Sequence, residues 1–267
     1  MNVAKGVCTR GALATALVLL SAGAAGAAEG DTWEWKQAVA PGSAVEIRNV
    51  NGGIEAGTAS GSQVEVVAVK KVKEGNPADL KIEVVKHAGG VTVCAVYPAN
   101  DGDPPNECKP NGGRMKIRKG YEGTVSFTVK LPASVRLLGR TVNGGIKTAS
   151  LGGPADLATV NGSIQVDSAA EVRAKTVNGS VTAKMDRTDW KGELELTTVN
   201  GSVKVELPAS ANTDVKGGTV NGSIESDFGL PVEGKWGPKK VSGKIGAGGR
   251  LLNVNSVNGS LQLRKRS

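Results

Sequence analysis

Thr176-Val177-Asn178-Gly179 is one copy of a tetrapeptide that decides how this chain folds. The other complete copies begin at Thr141, Thr159, Thr198 and Thr219. Related copies begin at Asn49 and Ser256, and a degenerate one is Val241-Ser242-Gly243. Self-similarity at intervals of about 20 residues is the signature of an array of stacked units.

Each complete copy places an Asn-Gly pair between two apolar, alternating segments. Both residue types tolerate positive φ, so the sequence predicts tight turns, and we expect positive φ at Gly179 and Gly201. The predicted turn residues are Asn51, Gly52, Asn143, Gly144, Asn161, Gly162, Asn178, Gly179, Asn200, Gly201, Asn221, Gly222, Asn258 and Gly259.

Two architectures fit a repeat of strand, Asn-Gly turn and strand. One is a meander of hairpins, because Asn-Gly is the strongest short hairpin signal. The other is a β-solenoid, in which each repeat is a coil stacked on the last. A meander would leave an apolar sheet face with no helix to cover it, so we favour a solenoid-like stack. The predicted class is all-β.

The chain divides into three predicted regions, 1–28, 29–138 and 139–267. The first is a signal peptide, since a basic start with Lys5 and Arg10 precedes a short apolar run and a series of small residues. The second is an antiparallel β region with one repeat copy, which caps the stack. The third is the repeat region. This organisation predicts export to the periplasm, the cell surface or the medium.

Cys94 and Cys108 remain after removal of the predicted signal peptide. An isolated pair in an oxidising compartment most often forms a structural disulfide, and the segment between the two cysteines has a loop composition. No other stretch is long and apolar enough for a transmembrane helix. The net charge of +8 is spread along the chain, so with export it does not indicate a nucleic-acid partner.

The signal sequence, the Val-Thr-Val-Cys-Ala-Val-Tyr-Pro segment at 91–98 with its second cysteine, and the repeat together resemble a known bacterial family. Its members are called putative adhesins, or β-strand-repeat proteins of unknown function. The resemblance spans about residues 33 to 264. It implies a solenoid-like body at the cell envelope and supplies no catalytic residues.

Catalytic patterns are weak in this sequence. His87 is the single histidine, and no nucleophile or acid pairs with it at a recognisable spacing. Asp167 and Asp227 alone occupy similar offsets from their repeats. We therefore expect no enzyme activity, no cofactor and no metal site. The alternative is a polysaccharide lyase or hydrolase on a stacked β-fold, which needs converging carboxylates.

Binding is the favoured class of function. Trp190 and Trp236 fall in the looser turns between repeats, where exposed rings could stack on sugars or anchor a protein partner. The sequence therefore predicts a non-enzymatic, adhesin-like envelope module with an unidentified glycan or protein ligand, and these two tryptophans as its binding residues. It does not predict the oligomeric state.

Overall fold

A computed structural model describes residues 30–234 and 236–266, and the predicted signal peptide lies outside these residues. The described chain is all-β, and its single helix is a 3-10 turn at Pro77–Asp79. The strands are β1 Asp31–Ala38, β2 Ala44–Arg48, β3 Ile54–Thr58, β4 Gln63–Glu74, β5 Lys81–His87, β6 Gly90–Val96, β7 Glu122–Leu131, β8 Arg136–Arg140, β9 Ile146–Ala149, β10 Ala155–Ala158, β11 Ile164–Ser168, β12 Val172–Asn178, β13 Val181–Met185, β14 Leu194–Asn200, β15 Val203–Pro208, β16 Thr213–Asn221, β17 Ile224–Ser226, β18 Val232–Glu233, β19 Lys239–Ile245, β20 Arg250–Asn258 and β21 Leu261–Arg266.

The strands form two sheets that are parallel through their middle. The first sheet runs β1-β4-β7-β3-β9-β11-β13-β15-β21-β17, and the second runs β18-β19-β16-β20-β14-β12-β10-β8-β2-β6-β5. One repeat contributes a strand to the second sheet, turns at its Asn-Gly corner, and contributes the next strand to the first sheet. We call this unit a rung. A looser turn then returns the chain to the second sheet.

The chain forms stacked rungs and not hairpins at its Asn-Gly corners. The solenoid-like prediction is therefore confirmed, and the alternative of a hairpin meander is wrong. Strands that flank an Asn-Gly corner, such as β12 and β13, lie in different sheets and pair with the neighbouring rungs. The degenerate copy Val241-Ser242-Gly243 is not a corner, because it lies inside β19, which runs antiparallel to β16. Its apolar flanks follow the same alternation as a true repeat, so the pattern alone did not distinguish them.

The core lies between the two sheets and is built by alternation along each strand. In β12 and β13 the inward side chains of Val172, Ala174, Val181, Ala183 and Met185 are all buried. Small and branched residues dominate, so the sheets can approach closely without aromatic filling. The charged side chains of these strands face solvent.

The order of rungs in space departs from their order in the chain. The β20–β21 rung lies between the β14–β15 rung and the β16–β17 rung, although β16 and β17 come first in sequence. At the other end, β8 and β9 pair with β2 and β3, while β6 and β7, which lie between these two pairs in the chain, pair with the opposite sides of β2 and β3. Sequence spacing gave no sign of either rearrangement.

Antiparallel strands close both ends of the stack. β4 pairs with β1 and β7, and β5 pairs with β6, which agrees with the predicted antiparallel N-terminal cap. Trp33 and Trp35 of β1 pack against the core there. At the far end β19 and β18 extend the second sheet beyond β16. Such caps protect strand edges that would otherwise invite pairing with other chains.

Candidate binding surface

The asparagines of the corners form one continuous ladder of side-chain amides. Each Nδ2 donates to the Oδ1 of the asparagine on the preceding rung, at 2.8 to 2.9 Å, from Asn143 onto Asn51 through to Asn221 onto Asn258. In spatial order the ladder is Asn51, Asn143, Asn161, Asn178, Asn200, Asn258 and Asn221. A chain of amides in register holds every corner at the same height relative to its neighbours.

The corner glycines are required by crowding and not by a left-handed backbone. A Cβ added at Gly179 or Gly201 would lie closer than 3.0 Å to the carbonyl oxygen of the glycine on the preceding rung. Neither residue has positive φ, so the expectation drawn from turn chemistry is wrong for both, whereas Gly52 has a φ of 115°. Stacking, which a single repeat cannot reveal, explains the difference.

Buried threonine and serine hydroxyls hold neighbouring corners close together. The Oγ1 of Thr176 donates to the carbonyl of Gly162 at 2.8 Å, and the Oγ1 of Thr198 donates to that of Gly179 at 2.7 Å. Ser256 makes the equivalent bond to Gly201. A side chain at the glycine position would push the rungs apart and break these bonds. Threonine, asparagine and glycine thus act as one unit at each corner.

A column of exposed valines runs beside the asparagine ladder. These side chains are 36 to 43% exposed and stand on the outer face of the second sheet: Val142, Val160, Val177, Val199, Val257 and Val220. On the other side of the corner stands a column of serines: Ser163, Ser180, Ser202, Ser260 and Ser223. We call the valine, asparagine and serine columns together the corner strip. It contains no charged side chain.

Several cationic side chains next to the corner strip are matched by acids. Arg140 contacts Asp156 at 3.0 Å, and Lys175 contacts Glu195 at 2.7 Å. Across the corner, the ammonium of Lys204 holds the pKa of the Glu206 carboxyl below its usual range. The strip is therefore a neutral band between two faces on which charges are largely paired.

Trp190 and Trp236, predicted as a binding pair, are not brought together. Trp190 is only 3% exposed and belongs to the core, in the loose turn between β13 and β14. It borders a surface groove of about 510 Å³ lined also by Arg136, Glu171 and Arg187. Burial removes its ring from contact with a large ligand, so the sequence reasoning misjudged a core side chain.

Trp236 is 87% exposed and lies at the opposite edge from Trp190. It stands in the turn between β18 and β19, and Lys239 just after it pairs with Thr219, immediately before the last corner. The Nζ of Lys239 also donates to the carbonyl of Gly222 at 2.7 Å. The register therefore places Trp236 at the corner edge, beyond the last rung of the corner strip.

Cys94 and Cys108 form a disulfide, with Cα atoms 5.7 Å apart. The loop it closes covers the outer face of the second sheet at the N-terminal end. Beneath it the Glu46 carboxylate, 3% exposed, accepts from the Asn111 N–H at 2.9 Å and from the guanidinium of Arg48 at 2.9 Å. These bonds fasten the loop to β2.

His87 has partners that the sequence did not reveal. Its Nδ1 accepts from the Gly89 N–H at 3.2 Å, so the neutral ring carries its hydrogen on Nε2, which contacts the Thr92 Oγ1 at 3.2 Å. That hydroxyl donates to the Glu46 carboxylate at 3.1 Å. Thr92 is fully buried and His87 half-buried, and these bonds tie β5 and β6 to β2 within the cap.

The acids singled out for an enzymatic alternative do not converge. Asp167 lies on β11 and Asp227 follows β17, with β13, β15 and β21 between them in the sheet. Asp227 is engaged by Arg264 at 3.1 Å. Across residues 30–234 and 236–266, no group of three or more His, Cys, Asp and Glu side chains is placed to hold a metal ion.

No helix within the described ranges has the length and hydropathy needed to cross a bilayer.

The geometry defines a class: a two-sheet, capped β-solenoid whose corners carry an in-register amide ladder. Within it, residues 144–264 match the model of the Toastrack family, DUF4097. The match covers a little under half of the chain. It agrees with the resemblance to β-strand-repeat proteins of unknown function seen in the sequence.

Two solved structures align with this chain at low similarity. A putative cell adhesion protein from Clostridium sporogenes aligns with 88% of this chain and 100% of its own, with 12% identity and a TM-score of 0.46. A putative adhesin from Bacteroides fragilis aligns with 88% of this chain and 97% of its own, with 9% identity and a TM-score of 0.31. No curated protein matches the sequence.

Proposed function

We propose that this protein is an exported, non-enzymatic binding module of the cell envelope, adhesin-like in role, and that the corner strip is the surface it presents. The observation that carries the proposal is the valine column: six partly exposed apolar side chains in register beside a ladder of amides. Exposed apolar groups in a continuous array are a mark of interaction surfaces.

Rigidity favours binding by this surface. Each corner is fixed by backbone bonds to its neighbours, by the buried threonine hydroxyl and by the asparagine amide. A ligand that binds along the strip would therefore meet groups already held in position, which lowers the entropic cost of association. A catalytic site, in contrast, needs converging acid, base or nucleophilic groups that a substrate can reach.

Export rests on two features. One is the predicted signal peptide, with cleavage near Ala28. The other is the Cys94–Cys108 disulfide, since structural disulfides persist mainly in oxidising compartments such as the periplasm or the extracellular space. We further propose that residues 29–138 and 139–267 act as one body, because the boundary between them falls inside β8, which pairs in parallel with β2, and because β3 of the first pairs in parallel with β9 of the second.

The test compares binding of the purified mature protein to isolated cell envelopes with binding of a Val199→Glu variant. We expect saturable binding by the first and a large loss for the second. Thr182→Glu, on the outer face of the other sheet, is the matched control and should bind normally. N-terminal sequencing should find the mature chain beginning near Glu29. Release of reducing or unsaturated sugar ends from envelope polysaccharide would contradict the non-enzymatic role.

A further inference from the structure

We propose that the corner strip, continued at one end by Trp236, binds a single neutral, extended polysaccharide chain lying along the stack. The proposal deepens the binding function proposed above and rests on it. It assigns a ligand class, a site and a direction of binding. Four properties of the strip point to this ligand: its hydrogen-bonding valence, its lack of charge, its narrowness and the aromatic ring at its end.

The first property is the unused valence of the asparagine ladder. A side-chain amide offers two N–H donors and two lone pairs on its oxygen. At Asn178, one N–H is given to Asn161 and one lone pair accepts from Asn200. One N–H and one lone pair of the exposed Asn178 amide therefore remain unused within the ladder. The same holds for the ladder asparagine of each interior rung. Sugar hydroxyls, which both donate and accept, match such a row.

The second property is the absence of charge. No Asp, Glu, Lys or Arg occurs in the three columns, and Arg140 and Lys175 on the adjacent column are already paired with acids. The three columns offer no cation to an anionic polymer and no acid to a cationic one, and the ammonium of Lys239 at the end of the strip is given to the carbonyl of Gly222. A neutral ligand avoids the cost of desolvating a charged group, because the strip contains none.

The third property is shape. Six valines of this exposure present an apolar area on the order of a few hundred Å². That is well short of the roughly 800 Å² per partner that a stable protein interface buries. The strip is only three side-chain columns wide but roughly 30 Å long at a rung spacing of about 4.8 Å. A thin, extended chain can use all of it, whereas a second copy of this protein cannot.

The fourth property is the ring of Trp236, which is 87% exposed at the end of the strip. Exposing an indole has a hydrophobic cost, and this ring neither fills the core nor covers a gap in it. A flat aromatic face packs well against the C–H face of a sugar ring, and its N–H can reach a hydroxyl. The ring therefore extends the strip by one further contact of the same chemical kind.

The experiment measures binding of the full mature protein to neutral hexasaccharides by isothermal titration calorimetry. The probes are cellohexaose, chitohexaose and β-1,4-mannohexaose, with the matching disaccharides and hexagalacturonate as comparisons. We expect at least one neutral hexasaccharide to bind, its disaccharide to bind much more weakly, and hexagalacturonate not to bind. Trp236→Ala should weaken hexasaccharide binding about thirtyfold.

Val199→Glu, in the middle of the strip, should weaken binding by a similar factor, while Thr182→Glu leaves it unchanged. Val160→Glu repeats the test at another rung if the first variant is unstable. The proposal is overturned if no neutral hexasaccharide binds, if hexagalacturonate binds better, or if both strip variants bind normally. If envelopes still bind while the hexasaccharides do not, the ligand assignment fails and the proposed function stands. If wild-type protein binds neither, both fail.

Discussion

The side-chain amide of Asn258 donates to the oxygen of Asn200 at 2.8 Å across 58 residues of sequence. The intervening corner residue Asn221 is displaced outward and donates in turn to Asn258 at 2.8 Å. Register in the stack is therefore maintained even where the chain skips a rung and returns to fill it. The identical geometry at the inserted rung indicates that corner chemistry, rather than chain continuity, aligns neighbouring units.

Gly201→Ala should destabilise the protein by about 2 kcal/mol or more, because the new methyl group would meet the carbonyl oxygen of Gly179 and force two rungs apart. Gly61→Ala is the matched control, since a Cβ at Gly61 meets no atom within 4 Å. Urea denaturation of both variants measures the difference. Equal stability of the two would show that the corners are not closely stacked.

Asn200→Asp should cost roughly 1 kcal/mol near neutral pH, since a carboxylate cannot donate to the Oδ1 of Asn178. The two oxygens would repel, which raises the folded-state pKa of the new carboxyl above its unfolded value. Stability is then retained below the unfolded pKa and lost as pH rises through the folded pKa. Denaturation at pH 4 and pH 7 checks this, with Gln165→Glu as a control for added charge. A variant with no pH-dependent loss would contradict the ladder.

Trp190→Ala should destabilise by about 3–5 kcal/mol, because the ring is buried in the core. Trp236→Ala should change stability by less than about 0.5 kcal/mol, since its ring is almost wholly exposed. Thermal unfolding followed by circular dichroism compares the two. This pair separates a structural from a binding role for the tryptophans. Similar losses for both would mean that Trp236 also packs in the fold.

Tyr97→Phe should cost about 1–3 kcal/mol. The Tyr97 hydroxyl donates to the Asn49 side chain and accepts from the Asn51 N–H at 3.2 Å, at the N-terminal end of the ladder. Burial raises the pKa of this phenol, so its contribution is present below the unfolded pKa and declines only in strong alkali. Denaturant midpoints near pH 7 measure the loss. An unchanged midpoint would exclude a role in anchoring the ladder.

Replacing both Cys94 and Cys108 with Ser should cost about 2–4 kcal/mol, because the bridge restricts the unfolded chain over a separation of 14 residues. Thiol labelling of the unreduced, denatured wild-type protein should detect no free thiol. Two reactive thiols would refute the bridge. A loss of stability well below this range would mean that the hydrogen bond from the Asn111 N–H to Glu46 holds the loop in place without the disulfide.

The repeat pattern predicted the solenoid-like class, because Thr176, Val177, Asn178 and Gly179 keep the same roles on every rung. The pattern could not predict the exposure of a particular side chain in a loose turn. Trp190 and Trp236 both follow a polar turn sequence. Trp190 is nevertheless buried in the core, whereas Trp236 is exposed in the β18–β19 turn. Only the spatial order of the rungs decides which of these turns covers the core.

The valine column escaped prediction for a related reason. Val177 precedes a turn within an apolar, alternating segment, so its residue type suggests burial. Alternation places it on the outer face, because Thr176 next to it is the inward side chain. A polar residue inside and an apolar residue outside reverse the usual pattern. This reversal recurs at every complete copy of the repeat, and it is the feature of the sequence that could have revealed an exposed apolar surface.

The insertion of β20–β21 between two earlier rungs constrains how the molecule can be made. Growth by simple addition of each new unit to the last would leave β16–β17 against β14–β15, in the place that residues 250–266 finally occupy. That pairing must be avoided or undone, so assembly at this end cannot finish until residues 250–266 are available. Once in place, the β20–β21 rung is hydrogen-bonded on both sides, so unfolding that starts from the C-terminal end of the chain must first extract a strand pair from between two neighbours.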